Sequence, residues 1–142
     1  MAASVHLLKL SVGSESVEQL IDRQTRRSQQ RRDGRYYHVT RMWPKRGDEL
    51  LAGGSIYWVI QGVILARQKI TDFEEIIGED GIRRCAIFLD SQVMRTEAAP
   101  KRPFQGWRYL EPSAAPRDLA AGASSGGLPP ALAAALAEIG VR

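Results

Sequence analysis

The chain of 142 residues has few of the side chains that build disulfides, metal centres or membrane spans. Its single cysteine, Cys85, cannot form an internal disulfide, so nothing requires an oxidising compartment. The two histidines, His6 and His38, are far apart, and no CxxC or HxxxH spacing occurs. No apolar run approaches the roughly 20 residues that cross a bilayer. We therefore expect a cytoplasmic protein without a metal, a cofactor or a membrane contact.

Short catalytic motifs are lacking as well. No G-x-S-x-G elbow occurs, and neither GEDG nor GGS leads into a GK[ST] phosphate loop. Cys85 lies within CAIFL, a strand-like setting in which a free thiol is commonly buried and inert. The catalytic residues therefore stay unknown, and any catalysis would come from a dispersed set such as Thr40, Lys45 and Glu49. If the protein is an enzyme, we expect Arg41 and Arg67 to hold an anionic substrate and Thr40, Lys45 or His38 to transfer protons.

Arginine, by contrast, is plentiful and unevenly placed. The net charge is +4, and 16 of the 20 cationic residues are arginine. Nine cations lie between Arg23 and Arg46, whereas residues 71–80 (TDFEEIIGED) hold five acids and no base and are predicted to form a solvated acidic turn. This asymmetry favours a positive face that meets an anion. The alternative is that the arginines cover an ordinary solvated surface.

The apolar pattern predicts an α+β fold with a small mixed or mostly antiparallel sheet, for which a half-open barrel of the PUA-like kind is one arrangement. Predicted strands cover 5–13, 36–42, 55–70 and 81–90, with two short ones at VMR and GWRYL. A helix capped by Ser14 or Ser16 runs towards Gly34, and a short helix begins at Pro44. We predict one domain over 1–112, a linker rich in Ala, Gly, Ser and Pro over 113–130, and a C-terminal helix over 131–142.

The N-terminal helix is arginine-rich, with Arg23, Arg27 and Arg31 recurring every four residues. A row of guanidinium groups at this spacing can contact successive phosphates. A solvated helix face explains the same row equally well.

A polar amide interrupts the most apolar stretch, GGSIYWVIQGV. A strand over 55–70 would exceed the usual length, so a bend or tight turn is expected at Gly62. Gln61 then either bonds to backbone exposed by this irregularity or faces a cleft, because an unsatisfied buried amide costs about 1–3 kcal/mol.

Four blocks of the sequence resemble one family. They are HVTRMWPKR (38–46), GGSIYWVIQGVILARQ (53–68), DGIRRCAIFLD (80–90) and RPFQGWRYL (102–110). Together they are similar to short bacterial proteins that are known only as a domain of unknown function, and the similarity extends over nearly the whole chain. This resemblance implies no activity, substrate or residue role.

Three functional hypotheses follow. The leading one is a non-enzymatic module that binds RNA or another nucleic acid, because basic and aromatic residues interleave in three places. We assign Trp58 to the core and expect Trp43 and Trp107 to be partly exposed. The predicted binding residues are cations together with an aromatic stacking surface: Arg41, Lys45, Arg46, Arg67, Arg83, Arg84, Arg102, Arg108, Tyr57 and Trp107. The second is a small enzyme acting on an anionic or nucleotide-like substrate in a cleft near Gln61. The third is an assembly factor that meets protein partners through residues 71–80 and the C-terminal helix.

Overall fold

A computed structural model describes residues 5–102, 104 and 106–119, and all statements below concern these residues. The predicted C-terminal helix over 131–142 and most of the linker lie outside them. In chain order the elements are β1 (His6–Leu10), α1 (Val17–Ser28), β2 (Tyr36–Thr40), α2 (Gly47–Leu51), β3 (Ser55–Ile60), β4 (Val63–Ile77), β5 (Arg83–Leu89), β6 (Met94–Pro100), β7 (Trp107–Leu110) and a short 3-10 helix, Pro112–Ala114.

The strands form an open mixed sheet in the order β2-β5-β4-β3-β1-β7, with β6 added to β4. β1 pairs in parallel with β3, and the other pairs are antiparallel. The prediction of an α+β fold with a mixed, mostly antiparallel sheet is therefore confirmed. None of the helices in the described part of the chain is both long and apolar enough to cross a bilayer.

Strand β4 belongs to two halves of this sheet. Its first part pairs with β3 and β6, and its second part, from Ile70 onwards, pairs with β5. Register shifts near Ala66 and Asp72 mark the irregularities that let the strand bend. The sheet consequently curls, and His38 of β2 reaches Trp58 of β3 (ring centroids 5.5 Å apart) although β5 and β4 lie between these strands.

Helix α1 covers the concave side of the curled sheet. Ser16 caps it, as predicted, and its hydroxyl accepts a hydrogen bond from the Gln19 backbone N–H at 3.1 Å. Val17 and Leu20 join the core that contains Leu7, Ile56 and Trp58, among other apolar residues. A second cluster on the opposite face contains Leu8, Tyr57, Val59, Ile64 and Leu110. The helix ends at Ser28, before the predicted stop at Gly34.

Two predicted elements are wrong in detail. The residues of 71–77 continue strand β4 instead of forming an acidic turn, because Glu74 and Glu75 pair along the backbone with Ala86 and Cys85 of β5. Helix α2 begins at Gly47 and not at Pro44. The backbone N–H groups of Lys45 and Arg46 both donate to the Tyr109 hydroxyl, at 2.7 and 3.0 Å, which holds this loop to β7 ahead of the helix.

Candidate functional site

A cavity of about 170 Å³ lies between the end of β1, helix α1 and strand β2. We call it the basic pocket and define it by the cationic, amide and aromatic side chains on its wall: Lys9, Arg23, Gln24, Arg27, Tyr37, His38 and Trp58. The described wall includes neither aspartate nor glutamate. Three cationic side chains therefore surround one small cavity without a carboxylate beside them.

The loop between β1 and α1 holds Arg23 at the pocket. Arg23 Nη1 donates to the Val12 carbonyl oxygen at 2.6 Å and to Ser14 Oγ at 3.3 Å. Gly13 has φ +84°, and a Cβ atom there would lie 3.0 Å from Arg23 Nη1. Glycine at this position thus permits both the left-handed turn and the close approach of the guanidinium group.

Arg27 follows one helical turn later on the same face of α1. Its guanidinium carbon lies 5.9 Å from the centre of the Tyr37 ring. Within the described residues Lys9, Arg23 and Arg27 form no ion pair, whereas Arg26, on the same helix, pairs with Asp22 at 3.0 Å. On α1, the two arginines that face the pocket are therefore the ones without a carboxylate partner among the described residues.

Lys9 brings an ammonium group into a mostly apolar strand. The side chain is half-buried, and Nζ donates to the Leu10 carbonyl oxygen at 3.0 Å. Burial lowers the pKa of Lys9, because removal from water disfavours the charged form.

His38 lies on the β2 side of the pocket. Burial, with smaller contributions from the charges of Lys9 and Arg27, lowers the pKa of His38 to about 4, so the imidazole is neutral at pH 7. Its Nε2 atom is buried and has no hydrogen-bond partner in the described part of the chain. The ring meets Trp58 edge-to-face, with an interplanar angle of 87°.

A buried amide positions the pocket wall from behind. Gln68 is fully buried, and its Oε1 accepts from Trp58 Nε1 at 2.8 Å and from Gln24 Nε2 at 2.7 Å. Gln68 Nε2 donates to Gln24 Oε1 at 2.7 Å and to the Asp90 carbonyl oxygen at 3.0 Å. Two residues of the basic pocket, Gln24 and Trp58, are therefore fixed by one amide that sequence reasoning did not single out.

The predicted site residue Gln61 lies elsewhere. It is exposed at the turn between β3 and β4, with φ +50°, and Gly62 beside it has φ +82°. Two successive positive φ angles are typical of a type I′ hairpin turn. The tight turn expected near Gly62 is thus present, and Gln61 is at its tip and not on the wall of the basic pocket.

Most of the predicted binding arginines have carboxylate partners. Arg46 pairs with Glu49 at 2.7 Å and with Glu111 at 3.3 Å, while Arg83 pairs with Glu75. The remaining pairs are Arg67 with Asp118 at 2.7 Å and Arg84 with Asp80 at 2.9 Å. The other predicted cations are exposed and form no ion pair with described residues: Arg41, Lys45, Arg102 and Arg108.

The predicted stacking surface is not exposed. Trp107 is only 7% exposed and donates from Nε1 to the Met42 carbonyl oxygen at 3.0 Å, so the expectation that it is partly exposed is wrong. Tyr57 is 5% exposed. Trp43 is half-buried, as expected, but the Arg83 guanidinium carbon lies 4.6 Å from the centre of its ring. Trp58 is a core residue, as predicted.

Tyr57 and Arg67 come together at an open groove of about 380 Å³, which also contains His6 and Asp118. Arg67 donates to Asp118 through two nitrogens, each at 2.7 Å, and to Ser55 Oγ at 2.9 Å. His6 Nδ1 accepts from the Ser55 backbone N–H at 3.0 Å. The charge of Arg67 is therefore matched by a carboxylate on the groove wall, unlike the cationic charges of the basic pocket.

The candidate catalytic residues do not gather at the basic pocket. Among Thr40, Lys45 and His38, only His38 is on the described wall of the basic pocket. Cys85 is buried, as predicted, and burial raises its pKa to about 11, which disfavours the nucleophilic thiolate. In the described residues no three His, Cys, Asp or Glu side chains gather where they would hold a metal ion.

Sequence reasoning missed Lys9 and identified Arg23 and Arg27 only as members of a helical row. The sequence did contain a sign that Lys9 could belong to a site. Lys9 is a lone cation within the apolar run HLLKL, where its ammonium group is placed beside the core or at a cavity. Nothing in the sequence indicated that β2 would curl back and bring His38 to the same place.

The chain belongs to the family described as "Protein of unknown function (DUF1489)", whose family model matches residues 7–142. The resemblance of the four sequence blocks to an uncharacterised family is thereby confirmed. Neither a curated protein nor a solved structure matches the chain.

Proposed function

We propose that this protein binds a small ligand through an oxyanion, a phosphate or a carboxylate, in the basic pocket. The observation that carries the proposal is the convergence of Lys9, Arg23 and Arg27 on one cavity without a carboxylate on the described wall. Arg23 and Arg27 are exposed and Lys9 is half-buried. Like charges held close together repel one another, and a bound anion offsets this repulsion.

The chemistry of the wall suits an oxyanion. Guanidinium groups donate hydrogen bonds in a planar fork that matches phosphate and carboxylate oxygens, and an ammonium group adds a point charge. The cavity of about 170 Å³ suits a small group and not a folded partner. Neutral His38 adds a polar ring nitrogen, and Tyr37 and Trp58 supply aromatic surface.

The test is calorimetric titration with sodium phosphate and with a 5′-mononucleotide at low ionic strength. Arg23→Gln and Arg27→Gln should each weaken binding by at least about tenfold, since a hydrogen bond to a charged group contributes about 1.5–3 kcal/mol. Arg26→Gln is the matched control, because Arg26 is on the same helix but pairs with Asp22. The proposal is wrong if no heat of binding is detected, or if all three variants behave alike.

RNA binding is the second candidate function. The observation in its favour is that Arg41, Lys45, Arg102 and Arg108 are exposed and form no ion pair within the described chain. The curl of the sheet is compatible with the half-open, PUA-like barrel that we also propose as the finer description of the fold. The buried positions of Tyr57 and Trp107 count against base stacking, so we rank this candidate second.

One additional arm of the titration separates the two candidates. A single-stranded oligonucleotide should bind an RNA-binding module far more tightly than the mononucleotide does, with an affinity that falls steeply as salt is raised. Equal affinity for the two ligands favours the small-anion pocket.

A further inference from the structure

We infer that Lys9 acts as a nucleophile that forms a reversible imine with a small carbonyl compound bearing a carboxylate or phosphate group. The inference rests on the proposed function, because Arg23 and Arg27 have to hold the anionic end of the compound. It goes beyond that function by assigning a covalent activity to the pocket and a chemical class, the anionic aldehydes and ketones, to its ligand.

The placement of Lys9 distinguishes it from an ordinary surface lysine. Its backbone is paired with Trp58 on one neighbouring strand and with Trp107 on the other, and both of these side chains belong to the core on the α1 side of the sheet. The Lys9 side chain lines the basic pocket and is half-buried, while Lys45 and Lys69 are exposed. Within the described residues Lys9 has no carboxylate partner that would hold it in the charged form.

The reacting form of a lysine is the neutral amine. Burial lowers the pKa of Lys9, so a larger fraction of this side chain is neutral than for an exposed lysine at the same pH. Desolvation of a lysine in an apolar setting is one of the recognised ways in which a protein activates an amine towards carbonyl compounds. An anion held by the two arginines would keep the carbonyl carbon near Nζ.

His38 provides the proton transfers that imine formation needs. Attack by the Nζ lone pair on the carbonyl carbon forms a C–N bond, breaks the C=O π bond and leaves its electron pair on oxygen. The imidazole takes one proton from nitrogen and gives it to this oxygen, which becomes a hydroxyl group. The imidazole then carries the second nitrogen proton to the hydroxyl group, which leaves as water when the nitrogen lone pair forms the C=N bond. One carbonyl and one amine thus give one imine and one water, with no oxidation or reduction. His38 suits this role because it is neutral at pH 7 and lies on the wall that also carries Lys9.

The experiment traps the imine in the complete chain. The protein is incubated with pyruvate and sodium cyanoborohydride at pH 7, digested, and analysed by mass spectrometry for the reduced three-carbon adduct on each of its lysines, which are Lys9, Lys45, Lys69 and Lys101. We expect Lys9 to be modified at least about tenfold faster than Lys69, because the pocket supplies both the neutral amine and the bound anion. Lys69 in the same molecule is the internal reference, so the comparison needs no variant that must fold.

Three further arms examine the roles of the neighbours. Acetone, which lacks an anionic group, should lose the preference for Lys9, and Arg23→Gln should reduce that preference with pyruvate. His38→Gln should slow adduct formation on Lys9 and leave that on Lys69 unchanged. Modification of Lys9 no faster than that of Lys69 would overturn the inference.

The outcome is distinguishable from a failure of the proposed function. Phosphate binding without preferential modification of Lys9 overturns the imine alone. Preferential modification that is equal for acetone and pyruvate, together with no phosphate binding, retains a nucleophilic lysine but overturns both the anion site and the ligand class assigned here.

Discussion

At the scale of single residues, Gln68 connects the hydrophobic core to the basic pocket. Its amide makes four hydrogen bonds, to Trp58, to both polar atoms of Gln24 and to the Asp90 carbonyl oxygen. Because Gln24 and Trp58 are on the pocket wall, any change at Gln68 reaches the candidate site without touching a ligand. Gln68 is thus expected to position the pocket and to stabilise the fold at the same time.

Replacement of Gln68 tests this role. Gln68→Leu should lower the free energy of unfolding by about 1–3 kcal/mol, because the buried Trp58 N–H loses its acceptor and the Gln24 amide loses its partner. Urea titration followed by tryptophan fluorescence measures the change. Gln30→Leu, at an exposed position after α1, is the control and should stay within about 0.5 kcal/mol of the original protein. Equal stability of the two variants would show that the buried amide contributes nothing.

At the scale of elements, β4 shows what the sequence can and cannot predict. The apolar alternation of its first half and the turn at Gly62 are local signals, and both were interpreted correctly. Its second half carries Asp72, Glu74 and Glu75, and these charges led to the prediction of an acidic turn. The neighbouring phenylalanine and isoleucines favour a strand, and this preference was given too little weight. The strand persists there because β5 follows it in a hairpin, in which Ile77 pairs with Arg83 across a turn with Gly81 at φ +76°. The Asp80-Gly81 pair in this turn is a local hairpin signal that the prediction of an acidic turn did not use.

The candidate site has a different limit, because its wall joins residues of separate elements, among them β1, α1 and β2. The cap at Ser16, the docking of the first turns of α1 and the row containing Arg23 and Arg27 were all predictable from helical spacing. The binding role predicted for Arg46, Arg67 and the Arg83-Arg84 pair rested on unmatched charge. Arg46 and Arg84 pair with carboxylates three and four residues away in the sequence, and Arg83 pairs with Glu75 across a hairpin. Arg67 pairs with Asp118, and Arg46 pairs additionally with Glu111, in segments that are distant in the sequence and brought close by folding. Which arginines stay uncompensated is a property of the folded chain.

The β3–β4 hairpin gives a prediction at this scale. Gln61 has φ +50°, a conformation that costs energy for residues other than glycine and that asparagine adopts more easily. Gln61→Asn creates the Asn-Gly pair preferred in type I′ turns and should raise the free energy of unfolding by roughly 0.5–1 kcal/mol. Chemical denaturation measures it, with the exposed Gln92→Asn, at a residue without a positive φ, as the control. A loss of stability in Gln61→Asn would contradict the turn assignment.

At the scale of the whole molecule, charge is largely balanced pair by pair. Ten ion pairs link arginines to carboxylates among the described residues, and most of them are at least partly exposed. Exposed pairs contribute little to stability, typically up to about 1 kcal/mol each. Because these pairs cancel much of the charge locally, we expect the remaining positive electrostatic potential to be strongest near the cations that lack a partner, including those of the basic pocket.

The response of the whole molecule to acid should carry a contribution from His38. The unfolded chain binds a proton at His38 near pH 6.5, whereas the folded chain does so only near pH 4. Between these values the unfolded state binds more protons, so the free energy of unfolding should fall as the pH is lowered, by up to roughly 3 kcal/mol. Above pH 6.5 the contribution is constant. Denaturation curves collected from pH 7 to pH 4 measure the slope.

His38→Gln provides the comparison for this measurement. The variant should lose the part of the slope that belongs to His38 and keep the part due to His6 and the carboxylates, whose pKa values are also lowered in the folded state. Parallel curves for the two proteins would show that His38 is protonated equally in the folded and unfolded chain.

The position of β1 has a consequence for how the polypeptide is made. β1 lies between β3 and β7 and is synthesised about 100 residues before β7, so one of its edges stays uncovered until residues 107–110 are available. A nascent chain in which residues 107–110 are still inside the ribosome presents this unpaired backbone edge, which invites association with other chains. Assembly over such long separations is slow, so the sheet should be completed only after β7 emerges, and β1 should depend on protection until then.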